Sequence, residues 1–158
     1  MAQTSTPRTT RSQDTRASAR HAAAGDAEVQ GFLDRFGRAL TAGDTHAIAA
    51  LWETPAYVLG DSDVHDVRSI DEVEQFFGGA RQQYNAQGIT DTRPEILALD
   101  RLTERILVVR VRWPYLDAQG HELGAETSTY TLRRDGNGRL RLRVAVTHGV
   151  EEAPAARH

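Results

Sequence analysis

The chain contains no cysteine, no lysine and a single methionine among 158 residues. The missing cysteine excludes disulfides, thiolate metal sites and cysteine nucleophiles, and it removes thiols as a guide to redox compartment. With no lysine, all 19 basic residues are arginine. That fits codon bias in a GC-rich genome first, and selection for planar, bidentate donors second. Nor is there an apolar run approaching the roughly 20 residues of a membrane span. The formal net charge of -3 supplies no global pull toward nucleic acid or an anionic membrane, so any basic function must be local. A 39% hydrophobic content is globular, and a chain of this length suits one domain with one sizeable core. The expected setting is the cytoplasm.

Residues 1–25, rich in Ser, Thr, Ala and Arg, hold almost no large apolar side chain and are expected to form an unstructured tail. Their basic character is that of an organellar transit peptide as well, but the apolar core of a signal peptide is missing. Residues 151–158 are expected to be a second tail. Between them lies a single domain, 26–150.

Within that domain Val29, Phe32, Leu33, Phe36 and Leu40 recur at helical spacing, with Asp26 a candidate N-cap and Gly43 a stop. A short helix is predicted over Thr45 to Trp52, capped by Asp44 and ended by Pro55. "AYVLG" reads as a strand followed by the polar loop "DSDVHDVRS". A third helix is predicted from Ile70 to Gln87, with Ser69 and Glu72 forming a capping box. Beyond Gly88 the period falls to two, giving candidate strands Ile89–Leu99, Arg105–Leu116, Glu122–Arg134 and Arg139–Gly149 joined by turn-forming segments such as "DGNG". The fold class is α+β: three N-terminal helices packed on a strongly curved, mostly antiparallel sheet that forms a cone with an internal cavity.

"FLDRFGRALTAGDTHAIAALWETPAYVLG" and "ETSTYTLRRDGNGRLRLRVAVTHG" carry a resemblance to the nuclear transport factor two-like superfamily, whose members include ketosteroid isomerases, scytalone dehydratase and polyketide cyclases. The resemblance covers about residues 27–149. It implies a cone-shaped barrel, frequent dimerisation through the outer sheet face, and no cofactor. The ketosteroid isomerase pattern of a tyrosine, an aspartate base and a protonated aspartic acid falls here on Phe36, Gly60 and Tyr130, none of which matches. Asp61 is adjacent to the base position.

Strand alternation sorts the sheet into two faces. Leu107, Val109, Val111, Trp113 and Tyr115 share one face with Glu126, Ser128, Tyr130 and Leu132, and an uninterrupted last strand adds Leu140, Leu142, Val144, Val146 and His148. Polar groups on an apolar wall must be hydrogen-bonded, solvated or shifted in pKa. Glu126, Tyr130 and His148, with Asp61, are therefore candidate acid-base groups, and Trp52, Tyr57, Phe77, Trp113 and Tyr115 candidate walls for a small, mostly apolar organic ligand. The same polar residues also fit a rim that simply reaches water, and the aromatics fit an ordinary core. Asp61, Asp63, His65 and Asp66 match no calcium-loop spacing, so no metal site is expected.

The opposite face carries Arg110, Arg112, Arg133, Arg139, Arg141 and Arg143 with Thr127, Thr129 and Thr131. No aromatics interleave there, so a homodimer interface is favoured over RNA. The expected function is cofactor-free proton transfer of the isomerase, dehydratase or cyclase type. The alternative is a non-catalytic binding or accessory module built on the same residues.

Overall fold

The computed structural model describes residues 10–152, with side chains from Asp26 to Val150. The first helix, α1, runs Thr10–Ala42. Asp26 is thus interior to it rather than its cap, because the alanine- and arginine-rich segment before it favours helix. The expected tail 1–25 is helical from Thr10, and residues 1–9 and 153–158 lie outside the described residues. Gly43 ends the helix as expected. Its φ of 69° lets the amides of Gly43 and Asp44 close on the carbonyls of Leu40 and Ala39, a Schellman arrangement that an L-residue would strain. Asp44 then caps α2 (Thr45–Ala49) by accepting from the Ala47 amide.

Two predicted helices are shorter than expected. The second stops at Ala49, and β1 (Trp52–Leu59) takes both Trp52 and Pro55 into the sheet at a register irregularity, where a missing amide costs no ladder bond. The polar loop is the second arm of a hairpin, since β2 (Val64–Val67) pairs antiparallel with β1. The predicted helix from Ile70 splits into α3 (Ile70–Phe76) and α4 (Ala80–Ala86) at Gly78 and Gly79, the latter at φ 83°. Ser69 caps α3 through the Glu72 amide, while Glu72 reaches back to the amide of Arg68.

The meander follows. The expected strand 89–99 is divided at Arg93–Pro94 into β3 (Asp91–Thr92) and β4 (Glu95–Arg101), both of which pair with β5 (Ile106–Leu116). β6 (Glu122–Arg134) and β7 (Leu140–Glu152) complete a sheet of order β2-β1-β7-β6-β5-β3, mixed only where β1 runs parallel to β7. The α1 stripe of Val29, Phe32, Leu33, Phe36 and Leu40 is buried against the concave face. A fully buried side chain of this size contributes about 1.5–3 kcal/mol. This stripe anchors the helix across the cone.

Two bulges in β7 decide which side chains enter that cone. Tyr130 faces Ala145 and Leu132 faces Leu142, so Arg143 is an extra residue; Thr127 faces Gly149 and Ser128 faces Thr147, so His148 is another. Each bulge inverts the alternation beyond it. Leu140, Leu142 and Ala145 are buried, whereas Val144, Val146 and His148 belong to the outer side, against the expectation of one continuous inner row.

Candidate functional site

The cone is occupied by aromatic side chains from three directions. Phe36 of α1 lies 5.6 Å from Trp113, 5.9 Å from Phe77 and 6.0 Å from Tyr130, the last pair nearly parallel at 22°. Trp52 of β1 stands edge-on to Phe77 at 5.7 Å. Inside this cluster the Trp113 indole N–H donates to the Tyr130 hydroxyl at 2.9 Å. The Trp52 indole N–H is buried without a hydrogen-bond partner among the described residues. Of the ketosteroid isomerase positions tested above, Phe36 and Tyr130 thus stack on each other, and Gly60 closes the β1–β2 turn by donating to Asp63.

The polar end of the cone lies beyond Trp113. There Tyr115 donates its hydroxyl to Glu126 Oε2 at 2.8 Å, and Tyr84 of α4 places its ring 6.2 Å from that of Tyr115. Leu40, Thr41, Ile89 and Thr92 complete the wall. The space they leave is about 10 Å³, room for about one water. Thr92 also brings a buried hydroxyl with no partner among the described residues. Electrostatics here favour neutral phenols. Burial, then the Glu126 charge, pushes Tyr84 up to about 12. Tyr115 is raised further by burial, by the same charge and by the bond it donates. Burial also raises Tyr130, outweighing the opposing hydrogen bonds from Ser128 and Trp113. All three stay protonated at neutral pH, Tyr115 donating to Glu126 and Tyr130 accepting from Trp113.

Sequence reasoning placed Glu126, Tyr130, Trp113 and Tyr115 on one wall, and the structure brings them together with Trp52 and Phe77. Three other candidates stand elsewhere. His148 sits in its bulge on the outer face, exposed, its Nε2 2.7 Å from Thr129 Oγ1. Asp61 is exposed in the β1–β2 turn, and Tyr57 is 44% exposed on the outer side of β1, one residue out of phase with buried Ala56 and Val58. Tyr84 and Thr92 were not anticipated. Their signal was present only as an aromatic within a long predicted helix and a threonine before an Arg-Pro pair.

Among the described residues no group of three or more His, Cys, Asp or Glu side chains could hold a metal ion. No helix among them is long and apolar enough to cross a membrane. On the outer face, Arg112 pairs with Glu122 at 2.7 Å and Glu95 at 3.5 Å, and Arg143 with Glu53 at 3.0 Å. Much of that arginine charge is internally neutralised.

A long helix laid across a curved antiparallel meander, with a parallel first strand and polar groups at one end of the cone, defines the NTF2-like class. Residues 27–150 match the family described as NTF2-like protein (DUF6841), and the chain belongs to that family. Solved structures of the same fold include an NTF-2 like protein of unknown function from Shewanella oneidensis (12% identity, 78% of this chain and 98% of that one, TM-score 0.60). A ketosteroid isomerase-like protein from Erwinia carotovora atroseptica is 16% identical over 77% of this chain and 92% of that one, with TM-score 0.56. Aln2 from a Streptomyces species is 21% identical over 80% of this chain and 88% of that one, with TM-score 0.56. At these identities the likeness is one of fold. No curated protein matches the chain.

Proposed function

We propose that this protein binds a small organic carbonyl compound at the polar end of the cone and transfers a proton on it without a cofactor. Glu126 is the base, taking a proton from the carbon next to the carbonyl. Tyr115 holds the carboxylate by the 2.8 Å bond, and Tyr84 donates to the enolate oxygen that develops. Return of the proton from the Glu126 carboxylic acid to carbon completes an isomerisation, and its delivery to a leaving oxygen completes a dehydration. The observation that carries this reading is a carboxylate on an apolar inner wall, ringed by phenols that stay protonated. Likeness in fold to a ketosteroid isomerase-like protein supports it.

Size limits the substrate. The space beside Glu126 takes about one water as it stands, so ligand entry requires Tyr84 to swing out with α4. That helix has no fully buried residue, Tyr84 being its partly buried contact with the core, and is flanked by Gly79 and Gly88 at φ 83° and 80°. Few buried contacts and two pliable ends favour local opening. The outer sheet face, where Thr129, Thr131, Val144 and Val146 are half-buried between paired arginines, is proposed as the contact with a second copy.

The test is deuterium exchange at carbon. Small cyclic ketones and enones are incubated with the protein in D2O and followed by NMR. Glu126→Gln should slow catalysed exchange about a hundredfold or more, with Asp61→Asn and His148→Ala unchanged. Equal exchange by wild type and Glu126→Gln sinks the assignment. The packed aromatic interior favours one competing reading, a non-catalytic binding module, which predicts ligand-induced shifts at Tyr84 and Tyr115 with no exchange.

A further inference from the structure

A second concavity shares no lining residue with the space beside Glu126. It is a groove of about 850 Å³ between α1, α2 and the β6–β7 turn, within the size range of small-molecule sites. Its floor is aliphatic, built from Ala39, Ala42, Ala47, Leu51 and Leu140. Its walls are basic: Arg35 and Arg38 stand one turn apart on α1, facing Arg139 and Arg141 at the start of β7.

The carboxylates nearby are already engaged. Glu28 is held by both terminal nitrogens of Arg134, Asp44 caps α2 through the Ala47 amide, and Asp135 takes Arg141 at 2.9 Å. Arg35, Arg38 and the Arg139 side chain have no acidic partner among the described residues. On the outer sheet face, by contrast, Arg112 and Arg143 are matched with glutamates. Unmatched guanidinium groups above an apolar floor are complementary to a molecule that is anionic at its ends and aliphatic in its body. The floor offers no aromatic platform, which argues against single-stranded nucleic acid. Its concavity suits a soluble molecule rather than a bilayer surface.

We propose that this groove is a binding site for a small, soluble organic anion with an aliphatic body, such as an alkyl phosphate or carboxylate, recognised by Arg35, Arg38 and Arg139. It is independent of the proton-transfer site, with which it shares no lining residue.

Titration calorimetry of the full chain with octyl phosphate, kept below its aggregation concentration, tests the site. Saturable one-to-one binding is expected, weakening with added salt because the arginines are exposed. Octanol and inorganic phosphate, each lacking one half of the chemistry, should bind about tenfold or more weakly. Arg35→Gln with Arg139→Gln should cost a similar factor, and Ala42→Glu, which puts a carboxylate on the groove, should abolish binding. Arg133→Gln on the outer face and Glu126→Gln in the cone should bind as the wild type does, which separates failure here from failure of the catalytic reading. Octanol binding as well as octyl phosphate, variants binding unchanged, Arg133→Gln losing as much as the groove variants, or capture only by phosphatidylglycerol vesicles would each overturn the proposal.

Discussion

Two glycines of α1 provide a matched pair for testing how tightly the helix is seated over the cone. Both are interior to the helix, so replacement by alanine should contribute about 0.8–1 kcal/mol in each case through helix propensity and a less flexible unfolded chain. At Gly31 the new methyl group meets nothing within 4 Å, and the full gain is expected. At Gly37 it would stand 3.1 Å from Thr92 Cγ2, 3.2 Å from Trp113 Cζ3 and 3.7 Å from Pro94 Cδ. Trp113 cannot retreat easily, being 2% exposed, hydrogen-bonded to Tyr130 and packed on Phe36. Overpacking of this kind costs about 1–3 kcal/mol. Gly37→Ala should therefore be neutral to about 2 kcal/mol destabilising, and the two variants should differ by about 1–3 kcal/mol. Urea unfolding followed by tryptophan fluorescence measures both, since Trp52 and Trp113 are buried. Equal stabilisation by the two substitutions would refute the close approach of α1 to Thr92 and Trp113.

Removing the hydroxyl in Tyr130→Phe leaves the buried Trp113 indole N–H without its acceptor, a loss of about 1–3 kcal/mol in the same urea assay; a change below about 0.5 kcal/mol would mean that the bond adds nothing. Asp135 governs acid sensitivity at the β6–β7 turn. Arg141 first, then the amides of Arg139 and Asn137, hold its carboxyl down at about 2. Its folded value is below its unfolded value, so its contribution is complete above the ordinary carboxylate range and is lost as pH falls from about 4 toward 2. Thermal unfolding of wild type and Asp135→Asn should accordingly converge across that window, and a gap independent of pH would contradict the assignment.

Where local chemistry and alternation agree, the fold was legible. β6 begins and ends where its pattern of inward Glu126, Ser128, Tyr130 and Leu132 predicts, because the Asp-Gly-Asn-Gly turn pins one end and Ser128, Tyr130 and Leu132 are buried. β7 carries an equally regular alternation, "RLRLRVAV", yet two bulges invert it. Nothing in Arg143 or His148 signals a bulge: they exist because a strongly curved sheet must shorten one edge against the other, a demand of the whole cone and not of the local sequence. That is why alternation alone puts His148 on the wrong side. The site was half legible for a similar reason. Glu126, Tyr115, Trp113 and Tyr130 come from β5 and β6, whose register is unbroken between Ile106–Arg133 and Tyr115–Gly124. Tyr84 arrives through the Gly78–Gly79 break, which a helix-period reading of 70–87 passes over.

The filled cone and the carboxylate at its polar end are parts of one arrangement. Phe36, Phe77, Trp113 and Tyr130 form one aromatic cluster, and truncating Phe36 or Tyr130 would open the interior but unseat Trp113. Trp113 walls the space beside Glu126, and its neighbour Tyr115, two residues along the same face of β5, carries the hydrogen bond to that carboxylate. A packed interior therefore fixes the wall on which Glu126 is presented, and the small space beside that carboxylate lies at the boundary with α4. Side chains locked by packing and by hydrogen bonds hold a reacting group more closely than a loop can. In the proposed opening α4 is the element with least to lose, since it contributes only the half-buried Tyr84 to this space and has no fully buried residue. Under the proposed function, selectivity for small molecules would follow from the aromatic wall, and access would be set by α4 rather than by the depth of the cone.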